Sequence, residues 1–125
     1  MSELVEALPA TGLKTLGLES MQVGSALPEA VGDKCAGAEV VYLVSLGLTG
    51  GVPASLGKCT KLMKLKLHAN QLEGAVPATE LAALTALTYL QLDKNEGLTI
   101  TASGAQALKQ ALPNADFLLP KEVAG

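Results

Sequence analysis

Leu62-x-x-Leu65-x-Leu67-x-x-Asn70-x-Leu72-x-Gly74-x-Val76-Pro77 is the stretch whose spacing decides the fold. Moved back by 24 residues, it falls on Ala38-x-x-Val41-x-Leu43-x-x-Leu46-x-Leu48-x-Gly50-x-Val52-Pro53 without a break in register. Upstream, Leu13-x-x-Leu16-x-Leu18-x-x-Met21-x-Val23 runs on to Leu27-Pro28 with a step of 25, and downstream Leu87-x-x-Leu90-x-Leu92-x-x-Asn95 follows after another 25. A fifth, shorter element, Phe117-x-Leu119, comes 27 residues later. Self-similarity at such a period is the signature of a stacked-coil architecture.

The physics of one unit is a short strand with alternating inward leucines, an Asn-type turn, and a returning segment that buries further Leu, Val or Pro. No single coil can bury its own apolar side. Four to five coils stacked share one aliphatic core, and about three are needed for stability. Composition agrees. The 125 residues suffice for one domain, 49% are hydrophobic, and only 2% are aromatic, so the core is built of aliphatic side chains, mainly Leu.

These residues resemble a leucine-rich repeat protein over roughly Leu13 to Leu119. The middle is similar to the plant-type subclass, whose unit ends in Leu-x-Gly-x-(Ile/Val)-Pro: Leu72-Glu73-Gly74-Ala75-Val76-Pro77 and Leu48-Thr49-Gly50-Gly51-Val52-Pro53 carry that ending. The C-terminal part resembles the longer, helix-bearing repeat of ribonuclease-inhibitor-like proteins. Asn95-Glu96-Gly97-Leu98 leads there into a helix over 103–112, with a Ser103/Gln106 capping box and Pro113 as its stop. The resemblance implies an α/β fold: a short right-handed leucine-rich-repeat solenoid whose 4–5 parallel strands form a concave sheet. We read one domain over 1–125, with an N-terminal cap at 1–12 including a turn of helix at Leu4 to Leu8, repeats at 13–112, and a strand and tail at 113–125. Met21 and Leu46 stand where Asn70 and Asn95 stand in later coils, so the first two turns are expected to be held otherwise or to be looser.

Charge narrows the function classes. All nine basic residues are Lys, and the net charge is −3, which argues against nucleic acid because bidentate phosphate and guanine contacts lean on the Arg fork. Lys58 and Lys61 belong to a returning segment and only Lys64 and Lys66 share a face. Val40 to Gly57 is uncharged, but its Pro53 and four glycines read as a buried strand and loop, with no membrane segment. The acidic start, Met1 to Glu6, lacks the basic and apolar regions of a signal peptide, and the expected compartment is cytoplasmic.

Three motifs invite chemistry. Gly51 to Lys58 superficially suggests a phosphate-binding loop, but five residues separate its glycines and Cys59 replaces the magnesium-binding hydroxyl. Cys35 and Cys59, one coil apart, could be bridged; the inward context of Cys59 favours buried, reduced thiols. No His/Cys cluster has metal-ligand spacing, so no metal or cofactor is expected. His68 and Asp93 share a column, with Ser45 one position off it, yet a flat exposed sheet offers neither oxyanion donors nor exclusion of water. The expectation is a solvated His68–Asp93 contact and no enzymatic activity.

Residues flanking the leucines point to the solvent side and form the concave sheet. The columns read Thr15, Val40, Lys64, Tyr89 and Asp116 before the first leucine; Gly17, Tyr42, Lys66, Gln91 and Leu118 between the leucines; and Glu19, Val44, His68 and Asp93 after the second. Val40, Tyr42 and Val44 make an apolar centre bordered by Lys64, Lys66 and His68, then by Tyr89, Gln91 and Asp93. An aromatic and aliphatic centre with a mixed-charge rim is the composition of a contact site. The resemblance implies a non-catalytic scaffold that binds a protein or peptide on this face. The alternative is a structural subunit of a larger assembly, docking or self-associating through its end coils or its convex side.

Overall fold

The computed structural model describes residues 14–124. The expected cap at 1–12 and the first rung at Leu13 lie outside them. In chain order the elements are β1 (Thr15–Glu19), α1 (Val31–Lys34), β2 (Val40–Val44), a 3-10 turn (Ala54–Lys58), β3 (Lys64–Lys66), β4 (Glu73–Ala75), α2 (Ala78–Leu81), β5 (Tyr89–Gln91), β6 (Gly97–Thr101), α3 (Ala102–Ala111), β7 (Asp116–Leu118) and β8 (Lys121–Val123).

Five of the strands, in the order β1-β2-β3-β5-β7, form one parallel sheet. The register follows the repeat: Leu16 pairs with Val41, Val41 with Leu65, Leu65 with Leu90 and Leu90 with Phe117. Leu43, Leu67 and Leu92, two residues on in their coils, are fully buried. The largest fully buried side chains are all leucines. Each contributes about 1.5–3 kcal/mol by leaving water, which is what holds so aromatic-poor a chain together.

A second parallel sheet, β4-β6-β8, lines the flank and was not foreseen from the spacing. It arises because Leu98-x-Ile100 alternates inward and outward along β6, while Leu72 and Val76 anchor the two ends of the exposed β4; Leu72, Val76, Leu98 and Ile100 are all buried. Coils of 24 or 25 residues leave room on the convex side for a single turn of helix. The longer last step accommodates α3.

The cap of α3 corrects the expected Ser103/Gln106 box. The helix starts at Ala102, and Thr101 is the N-cap, its Oγ1 accepting from Gly104 N–H at 2.9 Å. Thr101 ends β6 in extended backbone, which is the conformation an N-cap requires. The helix stops at Ala111, just before Leu112-Pro113.

The first four concave strands, β1, β2, β3 and β5, each hand over to their turn through one residue in the left-handed region: Ser20, Ser45, Ala69 and Lys94, with φ of 55°, 56°, 57° and 57°. None is glycine. A β-carbon there costs about 1–2 kcal/mol, so the surrounding turn must over-determine the conformation.

The asparagines do so for more than their own coil. Asn70 Nδ2 donates to Leu67 and His68 carbonyls in its own turn and to Leu43 O at 2.8 Å in the coil before; its Oδ1 accepts from Leu46 and Leu48 N–H at 2.9 and 3.2 Å. Asn95 likewise donates to Leu67 O in the preceding coil and accepts from Leu72 N–H. The second turn, which lacks its own Asn, is therefore held by the third, and Leu46 is free to fill the core. The first turn hangs on backbone bonds, Ser20 N to Val44 O and Val23 N to Leu46 O, while Met21 is 51% exposed.

The thiols are corrected too. Cys35 and Cys59 are joined in a disulfide with Cα atoms 5.4 Å apart, the usual separation for a bridge, and both residues are fully buried. Both do point inward, as the sequence context suggests. The two convex segments approach so closely that the two inward positions meet: a β-carbon on Gly32 would collide with the Ser55 backbone, and Ser55 Oγ donates to Glu29 O at 2.6 Å.

Candidate functional site

The parallel register aligns the outward columns across the sheet. Thr15, Val40, Lys64, Tyr89 and Asp116 form one row; Gly17, Tyr42, Lys66, Gln91 and Leu118 form the next; Glu19 lies beside Val44. Val40, Tyr42 and Val44 thus share one face of β2, with Lys64 and Lys66 one strand away. His68 and Asp93 lie just past the ends of β3 and β5, where Ala69 N–H donates to Asp93 O at 3.2 Å.

Tyr42 does not stand free in solvent. Its ring lies across the backbone of Gly17 on β1, so that a β-carbon at Gly17 would overlap the ring. Gly17 gives the aromatic a seat that no side chain at that position would leave. A glycine in a column otherwise filled by Tyr42, Lys66, Gln91 and Leu118 was the available signal for this arrangement.

Two depressions flank Lys66. One, of about 320 Å³, is lined by Glu19, Tyr42, Val44, Lys66 and His68; the other, of about 370 Å³, by Lys64, Lys66, Thr88, Tyr89, Asn114 and Asp116. Thr88 and Asn114, just before β5 and β7, enter the second depression from loop positions that the strand pattern does not mark. The Lys66 ammonium sits 5.3 Å from the centre of the Tyr89 ring, a cation–π contact that orients it between the two hollows.

Along β5 the outward side chains form a chain: Tyr89 hydroxyl donates to Gln91 Oε1 at 2.9 Å, and Gln91 Nε2 donates to Asp93 Oδ1 at 3.1 Å. Asp93 is thus held by Gln91. No hydrogen bond or salt bridge joins it to His68, so the solvated contact expected between the two is replaced by an interaction through space. His68 Nδ1 is shut off from solvent and has no hydrogen-bond partner among the described residues. Burial pushes the imidazole pKa below its ordinary value of 6.5; Asp93 opposes this, and Lys66 and Lys94 reinforce it. The imidazole is therefore neutral at pH 7. Nothing in this arrangement converges on a reacting atom.

Elsewhere, Lys58 reaches Asp33 at 3.3 Å in an exposed ion pair on the convex side, which is worth at most about 1 kcal/mol. Among the described residues no group of His, Cys, Asp and Glu could hold a metal ion, and no helix is long and apolar enough to cross a membrane.

A concave parallel sheet built on Leu-x-Leu rungs, asparagines bonding the turns, and a helical or 3-10 return on the outer side define a leucine-rich-repeat solenoid, and the chain is a leucine-rich-repeat protein. No protein-family model and no curated protein sequence matches it. Solved structures do. It is similar to a plant ice-binding protein at 27% identity and a TM-score of 0.77, over 88% of this chain and 34% of that one. It is similar to the ectodomain of the Arabidopsis thaliana membrane receptor kinase GASSHO1/SCHENGEN3, solved in complex with CASPARIAN STRIP INTEGRITY FACTOR 2, at 25% identity and 0.71, over 90% of this chain and 13% of that one. A leucine-rich-repeat protein of Leptospira interrogans matches at 27% identity and 0.66, over 84% of this chain and 25% of that one. The chain spans about a third or less of the length of each.

Proposed function

We propose that the chain is a non-catalytic binding module that receives a protein or peptide on its concave sheet. The observation that carries this reading is the seating of Tyr42 on Gly17, between Val40 and Val44 and beside the hollow that Lys66 and His68 complete. A fixed aromatic loses little side-chain entropy on binding, which is why such residues dominate contact energies. The receptor ectodomain among the similar structures, solved with its factor bound, supports the reading. The ice-binding neighbour suggests a different ligand, but the flank sheet here places Glu73 beside Gly97 and Lys121 beside Thr99, long charged side chains where a regular flat array would need short ones.

The buried Cys35–Cys59 bridge supports an oxidising compartment, where disulfides persist, over the cytoplasm expected from the N-terminal residues.

The test is affinity capture with the wild-type chain and with Tyr42→Ala, followed by titration of what is captured. The expected result is a loss of more than about 1 kcal/mol in binding at an unchanged unfolding midpoint. Equal affinity for both proteins would discard the concave reading, and end-to-end oligomers in light scattering that survive Tyr42→Ala would favour docking through the end coils.

A further inference from the structure

We propose that the segment received by the concave sheet is extended and carries an acidic side chain two residues from a bulky apolar one, the carboxylate seated at Lys64 and Lys66 and the apolar group on Tyr42 and Val44. The proposal rests on the concave reading and names the chemistry of its partner.

The order of side chains across the sheet carries it. On β2 the outward side chains are apolar; on β3 they are Lys64 and Lys66; just past β5 the carboxylate of Asp93 is already engaged by Gln91. Neither lysine is in an ion pair among the described residues. The cation–π contact with Tyr89 holds the Lys66 ammonium over the sheet, as the shared wall of both hollows. Two like charges two residues apart on one strand repel each other, and a carboxylate between them relieves the repulsion while gaining charge-assisted hydrogen bonds.

Nearby acids set the direction. Asp116 shares the Lys64 row two strands away, about 10 Å at the usual strand spacing, and forms the far wall of the hollow on the β5 side. Glu19 lines the hollow on the β1 side and disfavours a carboxylate there. With an acid on the far wall of each hollow, the acidic group belongs directly over β3, between Lys64 and Lys66, with the apolar group over β2. Side chains of an extended chain share a face only at every second residue, about 6.6 Å on, which covers the strand spacing of about 4.8 Å taken on the diagonal, so the two groups fall two residues apart.

The experiment is selection of a random peptide display library on the full chain. The enriched peptides are then synthesised and titrated against wild type, Tyr42→Ala and the double variant Lys64→Glu/Lys66→Glu. Expected are peptides with the apolar–acidic pairing, an affinity loss of about tenfold or more in the double variant, weakening with salt, and recovery when the peptide's acid is exchanged for Lys. Enriched peptides that are neutral or basic, yet lose affinity with Tyr42→Ala, overturn the partner chemistry and leave the concave reading standing. Peptides indifferent to all three substitutions, or no enrichment at all, overturn both.

Discussion

Asn70 Oδ1 accepts from Leu46 N–H at 2.9 Å, across a sequence separation of 24, and so ties the third coil to a turn of the second that has no asparagine of its own. The same side chain bonds Leu43 O and Leu48 N–H in that coil and Leu67 O in its own. One buried amide thus satisfies backbone groups of two coils.

Asn70→Ala should accordingly destabilise the protein by on the order of 3–5 kcal/mol, since several buried backbone groups lose their partner together. Met21→Ala, at an exposed first-turn position, should cost less than about 0.5 kcal/mol. Urea unfolding of the two variants checks the contrast, and comparable midpoints would refute the bridging role of Asn70.

The Cys35–Cys59 bridge closes a loop of sequence separation 24. Cys35→Ser/Cys59→Ser should lower stability by about 3–4 kcal/mol. Because both residues are fully buried, the native protein should resist alkylation under mild reductant and take up two labels only once unfolded. Mass spectrometry reads both states, and rapid labelling of the native form would contradict the burial.

His68 gives stability a pH dependence of known sign. Its pKa is lowered on folding, chiefly by burial, so below the ordinary value of 6.5 the unfolded chain binds more protons than the folded one. The penalty is absent above that pH, grows as pH falls from 6.5 toward the lowered value, and is constant below it. Unfolding midpoints should therefore drop between neutral and mildly acidic pH, and His68→Gln should flatten the drop. An identical slope in the variant would assign the effect elsewhere.

Ala69 holds a left-handed conformation at φ 57°. Ala69→Gly should remove a steric cost of about 1–2 kcal/mol against an added unfolded-state entropy of about 0.5–1 kcal/mol, for a net gain of about 0.5 kcal/mol. Ala75→Gly, within β4, should instead cost about 0.5–1 kcal/mol. Thermal unfolding distinguishes the two signs.

The rungs and columns of the concave sheet were legible because Leu-x-Leu alternation is a local property: Leu65 and Leu67 point inward whatever their neighbours do, and Lys64, Lys66 and His68 must then face out. Features that depend on how coils stack were not legible. Asn70 was readable as a bond to its own turn but not as a partner of Leu46, because that reach depends on the distance between coils. Cys35 and Cys59 were readable as inward, while their meeting depends on the close approach of Gly32 to Ser55. The helix start at Ala102 was misplaced because Thr101 serves two elements, as the last residue of β6 and the cap of α3. Within the site, Tyr42 was legible as pointing outward, but its half-buried seat on Gly17 required the register of two strands to be known.

The bridge also divides the solenoid mechanically. Coils in such a stack contact only their neighbours, so a force applied at the C-terminal end peels them away one after another. Peeling meets the covalent link at Cys59 only after the coils bearing Asp116, Tyr89 and Lys66 have come off, and β2, which carries Tyr42, lies inside the closed loop and stays tethered through it. Under tension, the half of the sheet nearest α3 is the part that lets go first.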